Sequence, residues 1–260
     1  MATTSKKSIE FTAKNVKAFT GWLKRFSAID NTLLLEIDQM KSTFVAKTYN
    51  EERSVVKMST IKFDEAGLTT KVNKDPKRIK VGIFNISRLI KIMDQFNDDE
   101  FNITIEYQDL VGDSDTQYAG EKILLKNKTL HMNVDCTSLN IFKYITDDIF
   151  NNNIAKAVQL GTFPLSRVTI EKINGLNSLD NEHRFMEFKF VDGTVVVVGK
   201  SYDIVIGTQT ATNADLSIFK EQYATLDIEG YDVELGDDRL VFRSKDSETV
   251  TVISKAEDRD

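Results

Sequence analysis

Apolar and polar residues alternate along most of this chain, and a side chain changes face at each step of a β-strand. That period predicts strands over residues 8–12, 32–38, 44–49, 55–64, 79–85, 101–108, 121–127 and 129–135. A second set is predicted over 184–192, 194–200, 202–209, 231–236, 239–244 and 249–254. Three of the breaks carry hairpin chemistry: Asp192-Gly193, the polar break Lys126-Asn127-Lys128, and Gly236-Asp237-Asp238. Asp192-Gly193 is the strongest, because Asp-Gly suits a tight two-residue turn.

Four segments leave this period for a helical one. The first is 13–26, and the second is 85–96, with Ile86, Leu89, Ile90, Met93 and Phe96 at helical spacing. The third, 164–179, opens on Pro164, a good first-turn residue, and is weakened near its end by Gly175. The fourth is 214–223, with Leu216, Phe219 and Tyr223 on one face. The order is helix, strands, helix, strands, and then the same again. It predicts an α+β protein of two similar domains, each with two helices packed on antiparallel β-sheet. The expected domains are 1–145 and 159–260, joined by a connector at 146–158. The connector region is polar and Asn-rich at its start, with a strand expected to begin around Ala155. Loop insertions are expected at 65–78 and 109–120.

At 260 residues, 41% of them hydrophobic and 16 of them Phe, the chain has ample core material. No apolar run approaches the roughly 18–20 residues of a membrane span. MATTSKKSIEF lacks the apolar core of a signal peptide. The single cysteine, Cys136, excludes an internal disulfide framework and suits a reducing, intracellular setting.

Charge changes the picture more than composition does. With 34 Lys+Arg against 40 Asp+Glu the chain carries −6, yet residues 13–26 hold Lys14, Lys17, Lys24 and Arg25 and no acid. At about 100° per residue, Val16, Phe19, Trp22, Leu23 and Phe26 share an arc of roughly 120°, and the four cations lie opposite. The second helix repeats this, with Arg88 and Lys91 opposite its apolar side. The third offers Arg167 and Lys172 beside Glu171, and the fourth Lys220 beside Asp215 and Glu221. The four segments together carry nine cations and four acids, or +5, which leaves −11 for everything else. The ordinary alternative is a solvated face, but solvated helices usually mix signs to gain i,i+4 pairs. A one-signed face repels itself unless it meets an anion, and a phosphate backbone is the obvious one.

No constellation for catalysis emerges. Gly193 and Gly199 have five residues between them where a phosphate-binding loop needs four, and the four valines at 195–198 make a strand. His131 and Cys136 are five apart near one strand, so they face apart and do not pair on a metal. His183 stands alone in a polar turn. The acidic runs Asp98–Glu100, Asp113–Asp115 and Asp237–Asp238 read as solvated tips. No cofactor and no metal are expected.

Several stretches resemble the DNA sliding clamps, the polymerase processivity factors of the proliferating cell nuclear antigen and phage clamp type. Residues 85–107, NISRLIKIMDQFNDDEFNITIEY, resemble the family's strand end, second helix and next strand. MKSTFV (40–45) resembles its Met-x-Ser-x-x-Val loop, and 231–258 resemble its closing hairpin, last strand and acidic tail. The resemblance implies a head-to-tail homotrimer around duplex DNA, with helices lining the hole and sheets outside. Its DNA-facing set would be Lys14, Lys17, Lys24, Arg88, Lys91, Arg167 and Lys220, with Lys172 and Arg25 as further members. It implies a non-enzymatic tether for a DNA polymerase, opened by an ATP-using clamp loader. It also implies an apolar pocket for partner peptides, built from Met40, Phe44 and Val45 with Thr251 and Ile253. The connector around Phe142 to Phe150 departs from the family pattern. Subunits would join through edge strands, either 121–127 or the strand near 200–209. The clamp resemblance without a eukaryotic-type connector suggests a phage protein, in the cytoplasm of an infected bacterial host. The alternative is an acidic, non-enzymatic structural or interaction protein of a virus.

Overall fold

A computed structural model describes residues 7–71, 77–96, 100–109, 117–139, 144–155, 159–180, 182–208 and 213–256. Asp98–Asp99, Asp113–Asp115, Phe142 and the acidic tail beyond Ala256 lie outside the described residues. The chain divides into two compact units, residues 1–48 with 60–145, and residues 49–59 with 146–260. Residues 49–59, expected with the first domain, thus count with the second unit. None of the described helices is long and apolar enough to cross a membrane.

Unit 1 opens with β1 (Lys7–Ala13), α1 (Lys17–Ser27), β2 (Leu33–Asp38) and β3 (Thr43–Tyr49). After β4 (Val55–Lys62), which begins in the 49–59 segment, come β5 (Leu68–Thr70), β6 (Arg78–Ile83) and α2 (Ile86–Met93). A 3-10 turn at Asp94–Phe96 leads to β7 (Phe101–Asp109), β8 (Gln117–Lys126) and β9 (His131–Asp135). The strands run β3–β2–β6–β8–β7–β1–β5, with β9 also on β8. Most pairs are antiparallel, as expected, but β6 and β8 are parallel over Arg78–Lys80 and Gln117–Ala119. Helices α1 and α2 bury their apolar stripes on the sheet, Phe19, Trp22, Leu23 and Phe26 from one and Ile86, Leu89, Ile90 and Met93 from the other. Phe44 sits at the centre of the core, its ring 5.3 Å from Phe11, 4.9 Å from Phe19 and 4.6 Å from Phe63. Gly67, at φ 73°, lets the chain pass the loop before α1, because a Cβ there would lie 2.1 Å from the Asn15 carbonyl oxygen.

Unit 2 holds α3 (Asp147–Ala155), β10 (Gln159–Leu165), α4 (Arg167–Leu179), β11 (Phe185–Val191) and β12 (Thr194–Val198). It continues with β13 (Asp203–Thr208), β14 (Ala214–Phe219), α5 (Lys220–Tyr223), β15 (Tyr231–Gly236), β16 (Arg239–Ser244) and β17 (Glu248–Ser254). One sheet runs β10–β15–β16–β17 and on to the start of β4, and the other runs β13–β12–β11–β14. Asp192 and Gly193, at φ 48° and 77°, make the expected tight turn between β11 and β12. Residues 49–59 are held in this unit by polar groups. Lys57, with no exposed side-chain surface, donates to the Thr225 carbonyl and to Asp227, both at 3.1 Å. Ser59 and Thr249 share a 2.7 Å hydrogen bond, and Gln222 donates to Ser54 at 2.7 Å.

Three expected elements differ. Pro164 does not open a helix but lies inside β10, opposite Asp232. An edge strand tolerates proline, because the missing N–H need not serve a ladder. The helix expected over 214–223 is strand β14 followed by the single turn α5. Its apolar residues lie on an inward strand face, where Leu216 and Ile218 are buried two apart. The connector region contains helix α3, with Asp147 and Asp148 in its first turn, where acids favour helix formation.

Cys136, just after β9, has its thiol pushed up to about 12 by burial first, then by the nearby carboxylates of Asp135 and Glu121. Only the thiolate is a nucleophile. At pH 8 the folded protein is therefore expected to react with iodoacetamide at least about tenfold more slowly than the protein in urea, as read by mass spectrometry.

Candidate nucleic-acid interface

The starts of α1 and α2 are fixed by side chains of the preceding loops. The Asn15 carboxamide oxygen accepts from the Lys17 N–H at 3.0 Å. Asn85 caps α2, accepting from the Arg88 N–H at 2.8 Å, and Asn31 accepts from the Ser87 N–H at 3.0 Å. These hydrogen bonds set which way each helix turns its polar face.

Lys14, Lys17, Lys24, Arg88 and Lys91 are all exposed, and Arg25 is half-buried; Lys14 lies in the loop between β1 and α1 and not on the helix expected to start at residue 13. Lys24 lies 3.9 Å from Asp94, an exposed pair of the kind that adds little. Neither helix has an acid in its first turn. Lys17 is the first residue of α1, and Arg88 lies in the first turn of α2, where the helix dipole disfavours a cation. Helix stability therefore does not account for Lys17 and Arg88, whereas a polyanion facing them would; Lys24, Arg25 and Lys91 lie in last turns, where the dipole favours them.

The second unit differs. Arg167 and Lys172 are exposed on α4, but the Arg167 Nε already donates to the Ile228 carbonyl at 2.8 Å. Lys220, expected to face outward, is 9% exposed. Its ammonium donates to the Asp180 carbonyl at 2.6 Å and to the Asp180 carboxylate at 2.9 Å. Because α5 starts only at this residue, Lys220 is directed at the end of α4 rather than along a polar helix face. Its hydrogen bond holds the Asp180 carboxyl below the usual carboxylate range, helped by the Lys200 N–H.

The residues expected to line a peptide pocket separate into two kinds. Met40 is 75% exposed, displayed by a turn in which Asp38 accepts from the Met40 and Lys41 N–H groups at 3.0 and 3.1 Å. It borders a groove of about 540 Å³ with Phe63, Leu68 and Lys71 among its other walls. Val45 is half-buried on the face of β3 opposite Phe44. Phe44 and Ile253, by contrast, are 1% and 0% exposed and belong to the cores of their units, and Thr251 is fully buried. The motif match picked them out, but strand alternation turns Phe44 and Ile253 inward. Among the described residues no group of three or more His, Cys, Asp or Glu side chains is placed to hold a metal ion.

Of the two segments expected as subunit edges, 121–127 lies in β8, which has β7 on one side and β9 on the other, and so is interior. Among the described residues strand β13 is an edge, paired in its sheet to β12 alone. Strand β9, paired among the described residues to β8 alone, is an edge that the periodicity located without showing its neighbours. Pairing order is decided by distant residues, so nothing local could have marked it.

No protein-family model matches the sequence, and no curated protein matches it. Solved structures do. The chain is similar to proliferating cellular nuclear antigen from Entamoeba histolytica, with a TM-score of 0.64 and 12% identity, over 96% of this chain and 99% of that one. It is similar to the A. fulgidus protein of that name, solved with the C-terminal region of FEN-1 bound, with a TM-score of 0.63 and 10% identity over 97% and 100% of the two chains. The H. pylori β clamp gives a TM-score of 0.60 and 12% identity, over 95% of this chain and 64% of that one. The protein therefore has the mixed fold of these clamps, few helices on large sheets. That is the fold of the DNA sliding clamps, found here in a chain whose sequence is only 10–12% identical to these three.

Proposed function

We propose that the protein is a sliding clamp that encircles duplex DNA and tethers a replicative DNA polymerase, without catalysis of its own. The observation that carries this reading is the one-signed outward face of α1 and α2 on a clamp fold. Cations on such a face meet phosphates, carry no sequence information and permit sliding. The ring is a homotrimer whose copies join through β9 and β13. Each is an edge with a half-buried apolar row, Met132 and Val134 on β9 and Ile204 and Ile206 on β13. Pairing them would cover both rows and both open edges. Met40 and its groove supply part of a docking site for partner peptides of the polymerase and the clamp loader.

Two measurements test this. Light scattering should give about three times the 29.5 kDa chain mass. Protein threaded onto linear duplex should stay through a high-salt wash when both DNA ends are blocked by bound streptavidin, and leave when the ends are free. A monomer, or equal loss from blocked and open DNA, would overturn the reading.

A further inference from the structure

The outward helix faces of the two units share a spacing but not a chemistry. At about 100° per residue, Lys17, Gly21 and Lys24 of α1 and its C-cap Ala28 form one stripe, and all four are exposed. The stripe of α4 is Val168, Lys172, Gly175 and Leu179, at the same i, i+4, i+7, i+11 spacing and also exposed. Where α1 carries Lys17 and Lys24, α4 carries Val168 and Gly175.

Packing does not explain the substitution. Val168 and Leu179 are 72% and 84% exposed, so neither is held by the core. A Cβ added at Gly175 would meet nothing within 4 Å, so a lysine would fit there. Counting Arg167, Glu171 and Lys172, α4 carries a net charge of +1 against +3 for Lys17, Lys24 and Arg25 on α1, and the Arg167 Nε is already directed to the Ile228 carbonyl. The shorter helices repeat the contrast. Arg88, Lys91 and Gln95 line the outward side of α2 and the turn after it, whereas α5 buries Lys220 on Asp180 and exposes Glu221.

We propose that the grip on phosphate is one-sided. Unit 1 supplies most of the cations that hold the backbone, and α4 of unit 2 presents a less charged, partly apolar face past which the backbone slides more freely. This rests on the clamp reading above. Each copy then brings one strongly gripping face and one weakly gripping face. Neutralising a phosphate releases counterions, so the share of each unit is readable from the salt dependence of binding.

The test uses a fluorescent duplex of arbitrary sequence and anisotropy titrations at several salt concentrations. Lys17→Glu combined with Arg88→Glu should weaken binding by about tenfold or more and lower the log–log salt slope by about one for each phosphate no longer neutralised. Both changes place acids in first turns, where they favour the helix. Lys172→Glu should change Kd by less than about threefold. Val168→Lys with Gly175→Lys, which gives α4 the pattern of α1, should tighten binding and steepen the slope. Lys172→Glu weakening binding as much as the unit 1 pair would overturn the one-sided grip, as would the absence of any gain from the lysine pair on α4. If the wild-type protein neither binds the duplex nor stays on end-blocked DNA, the clamp reading itself fails, and the one-sided grip with it.

Discussion

Replacing Phe44 with alanine is expected to cost about 3–5 kcal/mol, the range for truncating a large buried aromatic. Its ring is 1% exposed and lies within 5.3 Å of the Phe11, Phe19 and Phe63 rings, so the void would be lined by stiff aromatic neighbours with little room to collapse. Met40→Ala, four residues away on an exposed turn, should change stability by less than about 0.5 kcal/mol. Urea denaturation followed by fluorescence of Trp22, which stacks on Phe19 at 5.8 Å, reports both. The pair also divides the peptide-pocket residues. Met40→Ala should weaken binding of a partner peptide while leaving the fold intact, and Phe44→Ala should act through unfolding. Equal stability of the two variants would show that Phe44 is not a core residue.

Lys57→Met is expected to destabilise unit 2 by about 3 kcal/mol, the cost of removing one partner of a buried ion pair. Methionine fills much of the same volume, so the loss is electrostatic rather than a cavity. It removes the ammonium that lies 3.1 Å from the Asp227 carboxylate, itself 15% exposed. Adding Asp227→Asn should recover part of the loss, because the half-buried negative charge is gone. Hydrogen exchange should show where the effect falls. Strands β15–β17 should lose protection, while β1 and β7 of unit 1 keep theirs. Uniform loss over both units would contradict the placement of residues 49–59 in unit 2.

The elements that were legible in the sequence are those whose pattern is set within a few residues. Period-2 alternation located most of the strands, and Asp192-Gly193 marked its turn because only certain residues accept positive φ at both positions. The first two helices were legible because Phe19, Leu23, Ile86 and Leu89 recur at helical spacing within an otherwise polar run. Where spacing was ambiguous the reading went wrong. Leu216 and Phe219 are three apart, as on a helix, but Leu216 and Ile218 are the pair that the strand buries. Pro164 was a helix signal locally and became an edge-strand residue only because β15 lies on one side of it. The short strand β5 has too few residues to show any period.

The sequence by itself determined the class of fold and the sign of the helix faces, because both depend on residues spaced within one or two turns. Lys17, Lys24, Arg88 and Lys91 are exposed because their helices bury the opposite stripe, which the spacing already dictates. Tertiary structure alone decided the fate of individual charges and edges. Lys220 is buried because Asp180, forty residues earlier, is brought to it, and Lys57 because Thr225 and Asp227 surround it. Strand β8 is interior and β9 and β13 are edges because of pairings between residues far apart in the chain. A buried charge needs a partner, and a strand needs a neighbour. Which residue meets that need is set by the folded chain and not by the residues beside it.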